Sequence, residues 1–280
     1  MDKVGLALGG GGVRGLAHIL ALETMDHCSI KPAAIAGTSM GAIIGALYAS
    51  GLSGEEIHAG VYRHTIRKSD ELKSILAKKS DLLKWLKLAT PTLRRGGFLN
   101  ADGALLYLLD LIEVRSFEDL SIPLNVVATD YWSGEAVVFN SGELLPALKA
   151  SMAIPGVFPP VKIDGRVLVD GGVANNLPYD LLPAHCTKTI ALDVAPTRQP
   201  PPEKTVPGML DSVLGMFDIL LENADRQRIT GSPPSIYLKP EIIGVRTLDF
   251  DMIEEVFEQA KPAMAGFEKE LQALMKTVNE

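Results

Sequence analysis

The sequence contains few cysteines, few aromatic residues and no excess of basic charge. Cys28 and Cys186 are its only two cysteines, too few for a disulfide framework or for a zinc site with four thiolate ligands. The 280 residues carry a formal net charge of −7, which argues against general nucleic-acid binding. Residues 1–4 lack the basic region and apolar run of a secretory signal, so we expect a cytoplasmic location.

An uncharged stretch at residues 33–54 is long enough to cross a bilayer. Four glycines in its first 19 residues, at 37, 41, 45 and 51, make a continuous membrane helix a poor interpretation. The pattern instead predicts a buried strand, a tight turn and a buried helix.

Short apolar runs alternate with helical patterns along the chain. Strands at 4–8 and 33–36, followed by helices at 13–25 and 40–49, predict an α/β fold with parallel strands and right-handed crossovers. Further strands are predicted at 124–129, 135–139, 162–163, 166–169, 189–194 and 236–238, and further helices at 143–151, 206–228 and 250–277, with a mostly helical region at 52–120. Methionines 209, 216, 264 and 275 are predicted to be helix core.

A G-x-S-x-G motif at residues 37–41 lies between a predicted strand and a predicted helix. This is the context of a nucleophile elbow, in which a sharp turn exposes the serine hydroxyl at the end of the sheet. The alternative is an ordinary Gly/Ser turn. The flanking strand and the small-residue helix favour Ser39 as a nucleophile.

A second glycine motif, residues 9–15, follows the first strand and contains G-x-G-x-x-G. A dinucleotide site would need an acidic residue at the end of the next strand, and that strand ends instead in Gly37-Thr38-Ser39. The better interpretation is an oxyanion hole built from backbone N–H groups beside the nucleophile.

A serine nucleophile needs a base. None of the five histidines lies in a compact motif, whereas Asp170 follows a predicted strand and precedes two glycines, which suits a side chain that projects into a site. A plain turn aspartate is the alternative for Asp170, and a Ser-Asp-His triad that uses His185 is the alternative to a Ser-Asp pair.

Three motifs therefore stand in one order, at residues 10–15, 37–41 and 170–172. Together they resemble the patatin-like phospholipase family, particularly its compact bacterial members and the catalytic domain of neuropathy target esterase. The segments 150–160 and 174–178 are similar to the stretches around the family's aspartate, and the resemblance covers about residues 4–195.

The resemblance implies a three-layer α/β/α fold with a mostly parallel central sheet and a helical insertion at about 52–120. We expect a catalytic domain at 4–195 and a C-terminal helical extension at 196–280 that packs on the same domain. The resemblance also implies hydrolysis of acyl esters of phospholipids, lysophospholipids or simpler lipids, without a metal or a cofactor. An acyltransferase of similar fold and a non-catalytic membrane-associated adaptor are the alternatives.

The resemblance assigns roles residue by residue. Ser39 would be the nucleophile and Asp170 the general base, with no histidine in the dyad. The oxyanion hole would be lined by Gly10, Gly11 and Gly12. The supporting motif residues would be Arg14, Gly15, Gly37, Gly41, Gly171 and Gly172, and we expect Arg14 to anchor the glycine loop through backbone carbonyls.

Basic charge is concentrated in residues 61–95, which hold ten Lys/Arg against three acidic residues. Because this segment also carries leucines and a tryptophan, it is suited to an anionic membrane surface, and we expect peripheral contact with the inner membrane face. A helical cap over the site and a subunit contact are the alternatives, and the sequence does not indicate an oligomeric state.

Overall fold

The computed structural model describes residues 3–64, 113–199 and 206–278. Most of the predicted helical insertion and most of the basic segment 61–95 lie outside these residues. Within them, no helix is both long enough and apolar enough to cross a bilayer.

A single mixed sheet forms the centre of the molecule. Its strands are β1 (Val4–Leu8), β2 (Ala34–Thr38), β3 (Leu124–Asp130), β4 (Ala136–Phe139), β5 (Val161–Ile163), β6 (Arg166–Asp170), β7 (Lys188–Leu192) and β8 (Ile236–Leu238). The strands pair in the order β5-β6-β3-β2-β1-β7-β8, and β4 pairs with β3. Strands β1, β2, β3, β7 and β8 are parallel, so the predicted α/β class with a mostly parallel sheet is confirmed.

The helices begin after a 3-10 turn at Gly12–Leu16. They are α1 (Ala17–His27), α2 (Met40–Ala49), α3 (Gly54–His64), α4 (Leu144–Ser151), the one-turn α5 (Gly172–Asn175), α6 (Met209–Gly231) and α7 (Ile253–Val278). Strands β5 and β6, predicted at 162–163 and 166–169, form a hairpin, and its turn residues Asp164 and Gly165 both have positive φ, as a type I′ turn requires.

Alternate strand residues point to opposite faces of the sheet, and other parts of the chain cover both faces. Leu6 and Leu8 join the main hydrophobic core with residues of α1, α2 and α7. Ala7 joins a smaller cluster with Leu177 and Tyr179, against which Ile229 of α6 packs. The sheet is therefore the middle layer of three.

The C-terminal helix α7 packs against α1, and its Phe257, Phe267 and Leu271 belong to the main core. The boundary that we predict at residue 195 stays a prediction. The prediction that Met209 and Met216 are core residues is wrong, since they are 87% and 53% exposed. Helix α6 is apolar over a wider arc than the protein covers, and periodicity alone cannot tell which part of such an arc faces inward.

Candidate active site

The ends of β2 and β6 meet on one edge of β3. Strand β2 pairs with β3 up to Thr38 opposite Val127, and antiparallel β6 ends with Asp170 opposite Ala128. Strand β4 pairs with β3 across both regions, so it occupies the other edge. Ser39, the residue after Thr38, is thus brought to Asp170, and the two residues line the same pocket.

Ser39 occupies a sharp turn between β2 and α2. Its backbone has φ 53° and ψ −123°, an unusual conformation for a residue other than glycine and the one expected of a nucleophile elbow. The Ser39 N–H donates to Ser151 Oγ at 2.8 Å, which holds the turn to α4. A Cβ on Gly41 would lie 2.1 Å from the Leu8 carbonyl oxygen, so the elbow needs glycine there.

Asp170 is a buried carboxylate with few hydrogen-bond donors. Only 7% of the residue is exposed, and its Oδ1 accepts the Gly172 N–H at 2.8 Å. Burial raises the pKa of Asp170 to about 6, and the hydrogen bond from the Gly172 N–H together with the neighbouring Ser39 side chain limits the rise. A pKa near 6 leaves the group ionised at neutral pH and makes it a stronger base than an ordinary aspartate.

The glycine loop presents free backbone donors to this pair. The Gly10 N–H donates to the Asn176 carbonyl at 3.1 Å, and because Gly10 also lines the pocket, its place in the oxyanion hole stays a prediction. The N–H groups of Gly11 and Gly12 make no hydrogen bond within the described part of the chain. Both residues line the same pocket as Ser39, which leaves them as the candidate oxyanion donors of this loop.

Gly12 packs tightly against the loop before α7. It has φ +58°, and an added Cβ would lie 2.1 Å from the carbonyl oxygen of Thr247. Gly12→Ala is therefore expected to destabilise the fold by more than about 2 kcal/mol, since it adds backbone strain to a clash with backbone. Thermal or urea denaturation measures this loss of stability. Gly12 is thus expected to be a structural residue as well as a candidate donor.

Gly244→Ala is the matched control for that prediction. Gly244 has φ +73° and nothing within 4 Å of an added Cβ, so its substitution adds backbone strain alone, about 1 kcal/mol. Equal losses in the two variants would contradict the tight packing at Gly12.

Arg14 anchors the glycine loop from inside the protein. It is 1% exposed, and its guanidinium donates to the carbonyls of Val194 and Val245 at 3.1 Å each. A third bond, 2.9 Å long, joins Arg14 to Asp218 on α6. These contacts agree with the expected anchoring through backbone carbonyls and add an ion pair that sequence reasoning missed.

The other supporting glycines allow backbones to approach closely. An added Cβ would lie 2.6 Å from Met40 Cβ at Gly15, 2.7 Å from Ala42 Cα at Gly37, and 2.1 Å from the Val127 carbonyl oxygen at Gly171. At Gly172 it would lie 3.0 Å from Asp170 Oδ1. These glycines bring the loop, the elbow and the end of β6 together.

No histidine lines the pocket among the residues that the structure describes. His18 is fully buried beneath the loop, where its Nε2 bonds to the Gly9 carbonyl oxygen at 2.8 Å. Burial lowers the pKa of His18 to about 4, so the ring is neutral. His58 pairs with Glu23, and His185 is exposed. The side chain of His64 is not among the parts of the chain that the structure describes.

Asn176 is a member of the site to which sequence reasoning assigned no role. A Cβ on Gly10 would lie 2.7 Å from Asn176 Oδ1 and 3.2 Å from Ser39 Cβ, so the two side chains flank Gly10. Asn176 Nδ2 donates to the buried Asp225 of α6 at 3.1 Å, which orients Oδ1. The one sequence signal for Asn176 was its position in the segment 174–178, which resembles a stretch near the family's aspartate.

The pocket also has an apolar wall. Ile154 and Pro155, which follow α4 in the chain, line it together with Leu214, Phe217 and Leu221 of α6. A serine in a strained turn, a buried carboxylate, unpaired amides and apolar walls in one pocket suit attack on an ester of an apolar acyl group.

Comparison with known proteins supports the resemblance seen in the sequence. The family described as patatin-like phospholipase matches residues 6–183. An uncharacterized NTE family protein of Mycobacterium tuberculosis is 34% identical over 226 residues, which are 78% of this chain and 58% of the relative. The chain thus spans somewhat more than half the length of that relative.

Larger animal proteins contain a similar region. A patatin-like phospholipase domain-containing protein of Caenorhabditis elegans is 32% identical over 92% of this chain and 20% of its own length. Among solved structures, VipD from Legionella pneumophila has a TM-score of 0.49 at 12% identity, covering 95% of this chain and 67% of that one.

Proposed function

The chain belongs to the patatin-like phospholipase family, and from that premise we propose that it hydrolyses carboxylic esters of lipids, as a phospholipase or lysophospholipase. The observation that carries this proposal is that Ser39, in its strained turn, and the buried carboxylate of Asp170 line one pocket. The unpaired amides of Gly11 and Gly12 in the same pocket support it.

The proposed reaction proceeds through an acyl-enzyme. Ser39 Oγ attacks the ester carbonyl carbon while Asp170 takes its proton, and the Gly11 and Gly12 amides bind the developing oxyanion. Asp170 then returns the proton to the leaving alcohol. Water attacks the acyl-serine with the same assistance, which releases the fatty acid and restores Ser39.

A fluorophosphonate probe and a panel of p-nitrophenyl esters and lysophospholipids test this function. We expect the probe to modify Ser39 and the wild-type protein to release fatty acid. Transfer of the acyl group to an added alcohol or carrier thiol, with little hydrolysis, would indicate an acyltransferase. Absence of both labelling and turnover would indicate a non-catalytic adaptor.

The dyad predicts a specific dependence on pH. Asp170 acts as a base only when ionised, and burial raises its pKa to about 6. We therefore expect kcat/KM to be level above pH 7 and to fall about tenfold per pH unit below pH 6. A pH profile with a short soluble ester measures this, and a midpoint below pH 4.5 would contradict the assignment of Asp170 as a buried base.

We also propose that the basic segment 61–95 binds anionic membranes, an interpretation that rests on its sequence charge. Replacing Lys78, Lys79, Lys84 and Lys87 with Gln is expected to weaken binding to anionic vesicles and to spare hydrolysis of a short soluble ester. Vesicle co-sedimentation at two salt concentrations checks this, because charge-driven binding weakens as salt rises. Equal sedimentation of the two proteins would favour a cap or a subunit contact.

A further inference from the structure

Helix α6 carries a line of apolar side chains that faces solvent beside the pocket. The side chains of Met209, Val213, Met216 and Leu220 recur at intervals of four, three and four residues, so they follow one line along the helix. Their exposed fractions are 87%, 41%, 53% and 59%. We call these four residues the exposed stripe.

The exposed stripe runs directly beside the apolar wall of the pocket. Leu214, Phe217 and Leu221, which line the pocket, each follow a stripe residue by one position. One residue corresponds to about 100° around a helix, so the two lines are neighbours. The same three turns of α6 thus form the inner wall of the pocket and an apolar surface outside it.

The stripe is apolar only along the pocket. Continued at intervals of three and four residues, the same line reaches Asn223 and Gln227, which are exposed and polar. The inner line changes at the same level, to Asp225, which accepts a hydrogen bond from Asn176, and to Arg228, which donates to Asn175. The exposed apolar line on α6 therefore ends where its pocket-lining residues end.

Polar contacts on the inner face fix the direction of the stripe. Asp218 pairs with the buried Arg14, and Asp225 with Asn176, so α6 is tied to the glycine loop and to the segment after β6. Turning the stripe inward would break both buried contacts. The outward direction of these four side chains is thus determined by the packing of the site itself.

We propose that the exposed stripe enters the acyl region at the surface of a lipid aggregate and places the pocket against it. This inference rests on the proposed lipid hydrolase function. A helix that lies in the interface buries one apolar face by about 5–10 Å, and α6 has such a face. Methionine and leucine side chains on it suit fluid acyl chains, which offer no fixed partner shape.

A lipid surface fits the stripe better than a second copy of the chain does. Four side chains expose roughly a few hundred Å², the size of an interaction patch, whereas a stable dimer buries about 800 Å² per partner. A partner protein seated on the stripe would also lie beside the pocket in which we propose that lipid esters are hydrolysed.

The test is a triple variant, Met209→Gln, Met216→Gln and Leu220→Gln, in the full chain. Glutamine keeps side-chain length and helix propensity and removes the apolar surface. We expect binding to zwitterionic phosphatidylcholine vesicles to weaken at least tenfold, with hydrolysis of p-nitrophenyl butyrate unchanged within about twofold. Wild-type binding should persist between about 0.1 M and 1 M NaCl, since apolar insertion does not depend on screened charge.

Asn223→Ala with Gln227→Ala is the matched control, because it alters the same helix line beyond the pocket. The control should bind vesicles like the wild type. Three results would overturn the proposal. The triple variant could bind vesicles as well as the wild type does, the control could lose as much binding as the triple variant, or the wild type could fail to bind these vesicles. A wild-type dimer that the triple variant converts to a monomer would overturn it in favour of a contact between copies.

Failure of this inference is distinguishable from failure of the proposed function. Ser39→Ala should bind phosphatidylcholine vesicles as the wild type does, because Ser39 is not part of the stripe. Vesicle binding by a wild-type protein that hydrolyses no ester would overturn the proposed function and support the lipid surface. Ester hydrolysis by a protein whose vesicle binding does not depend on the stripe would support the proposed function and overturn the inference of a lipid surface.

Discussion

Ser39→Ala is expected to lower ester hydrolysis by about 10⁴-fold or more, because it removes the hydroxyl that we propose as the nucleophile and that shares the pocket with Asp170. Activity on a p-nitrophenyl ester and labelling by a fluorophosphonate probe measure the loss. The fold should be retained, since the N–H of residue 39 still donates to Ser151 Oγ.

Ser39→Gly separates the loss of the nucleophile from strain in the turn. Ser39 and an alanine in its place both hold φ near 53°, a conformation that glycine adopts freely. We expect both variants to be inactive and Ser39→Gly to be about 1 kcal/mol more stable than Ser39→Ala. Residual activity above a few per cent in either folded variant would move the nucleophile elsewhere.

Asp170→Asn is expected to lower hydrolysis nearly as much as Ser39→Ala does, and at the same time to make the protein more stable at neutral pH. The asparagine can still accept the Gly172 N–H but cannot take the serine proton. It also removes a buried charge, whose unfavourable burial is visible in the raised pKa of Asp170, about 6 against an ordinary 3.8.

The sign of the stability effect follows from proton linkage. Because the folded-state pKa of Asp170 lies above the unfolded value, the folded protein binds its proton more tightly, and this contribution to stability is lost as pH rises through about 6. Above that pH the ionised group destabilises the fold by on the order of 1–3 kcal/mol. Asparagine removes this penalty, whereas below about pH 4 the two proteins should differ little.

Urea denaturation of the wild type and Asp170→Asn at pH 7.5 and at pH 4 checks this prediction. His185→Ala is the control, since this histidine is exposed and does not line the pocket. It should leave both activity and stability near the wild-type values. Loss of activity in His185→Ala would replace the dyad with a Ser-Asp-His triad.

The sequence alone predicted the local elements, and it singled out Ser39 and Asp170, the two residues that we propose as a dyad. The runs at 4–8 and 124–129, the hairpin turn at Asp164-Gly165 and the small-residue helix after Ser39 are each encoded within a few residues. Periodicity, turn chemistry and glycine placement act over that same range, so these features can be read without knowledge of the fold.

Only the tertiary structure decided which groups meet and which remain free. Ser39 and Asp170 come together because β2 and β6 share one edge of β3, a register that neither motif contains. The Gly10 amide is occupied because Asn176 lies opposite it. Hydrogen-bond partners distant in sequence determine whether a donor is available, and no local pattern reports them.

The face of α6 that points to solvent shows most clearly what a local sequence pattern cannot predict. The sequence of α6 indicated a helix and predicted that Met209 and Met216 lie in the core, but the contacts of Asp218 and Asp225 turn these methionines to solvent. The sequence determined by itself which side chains are apolar and where strands and turns form, since these depend on near neighbours. The packing of distant segments decided which apolar side chains are covered, because burial depends on the whole surface that surrounds them.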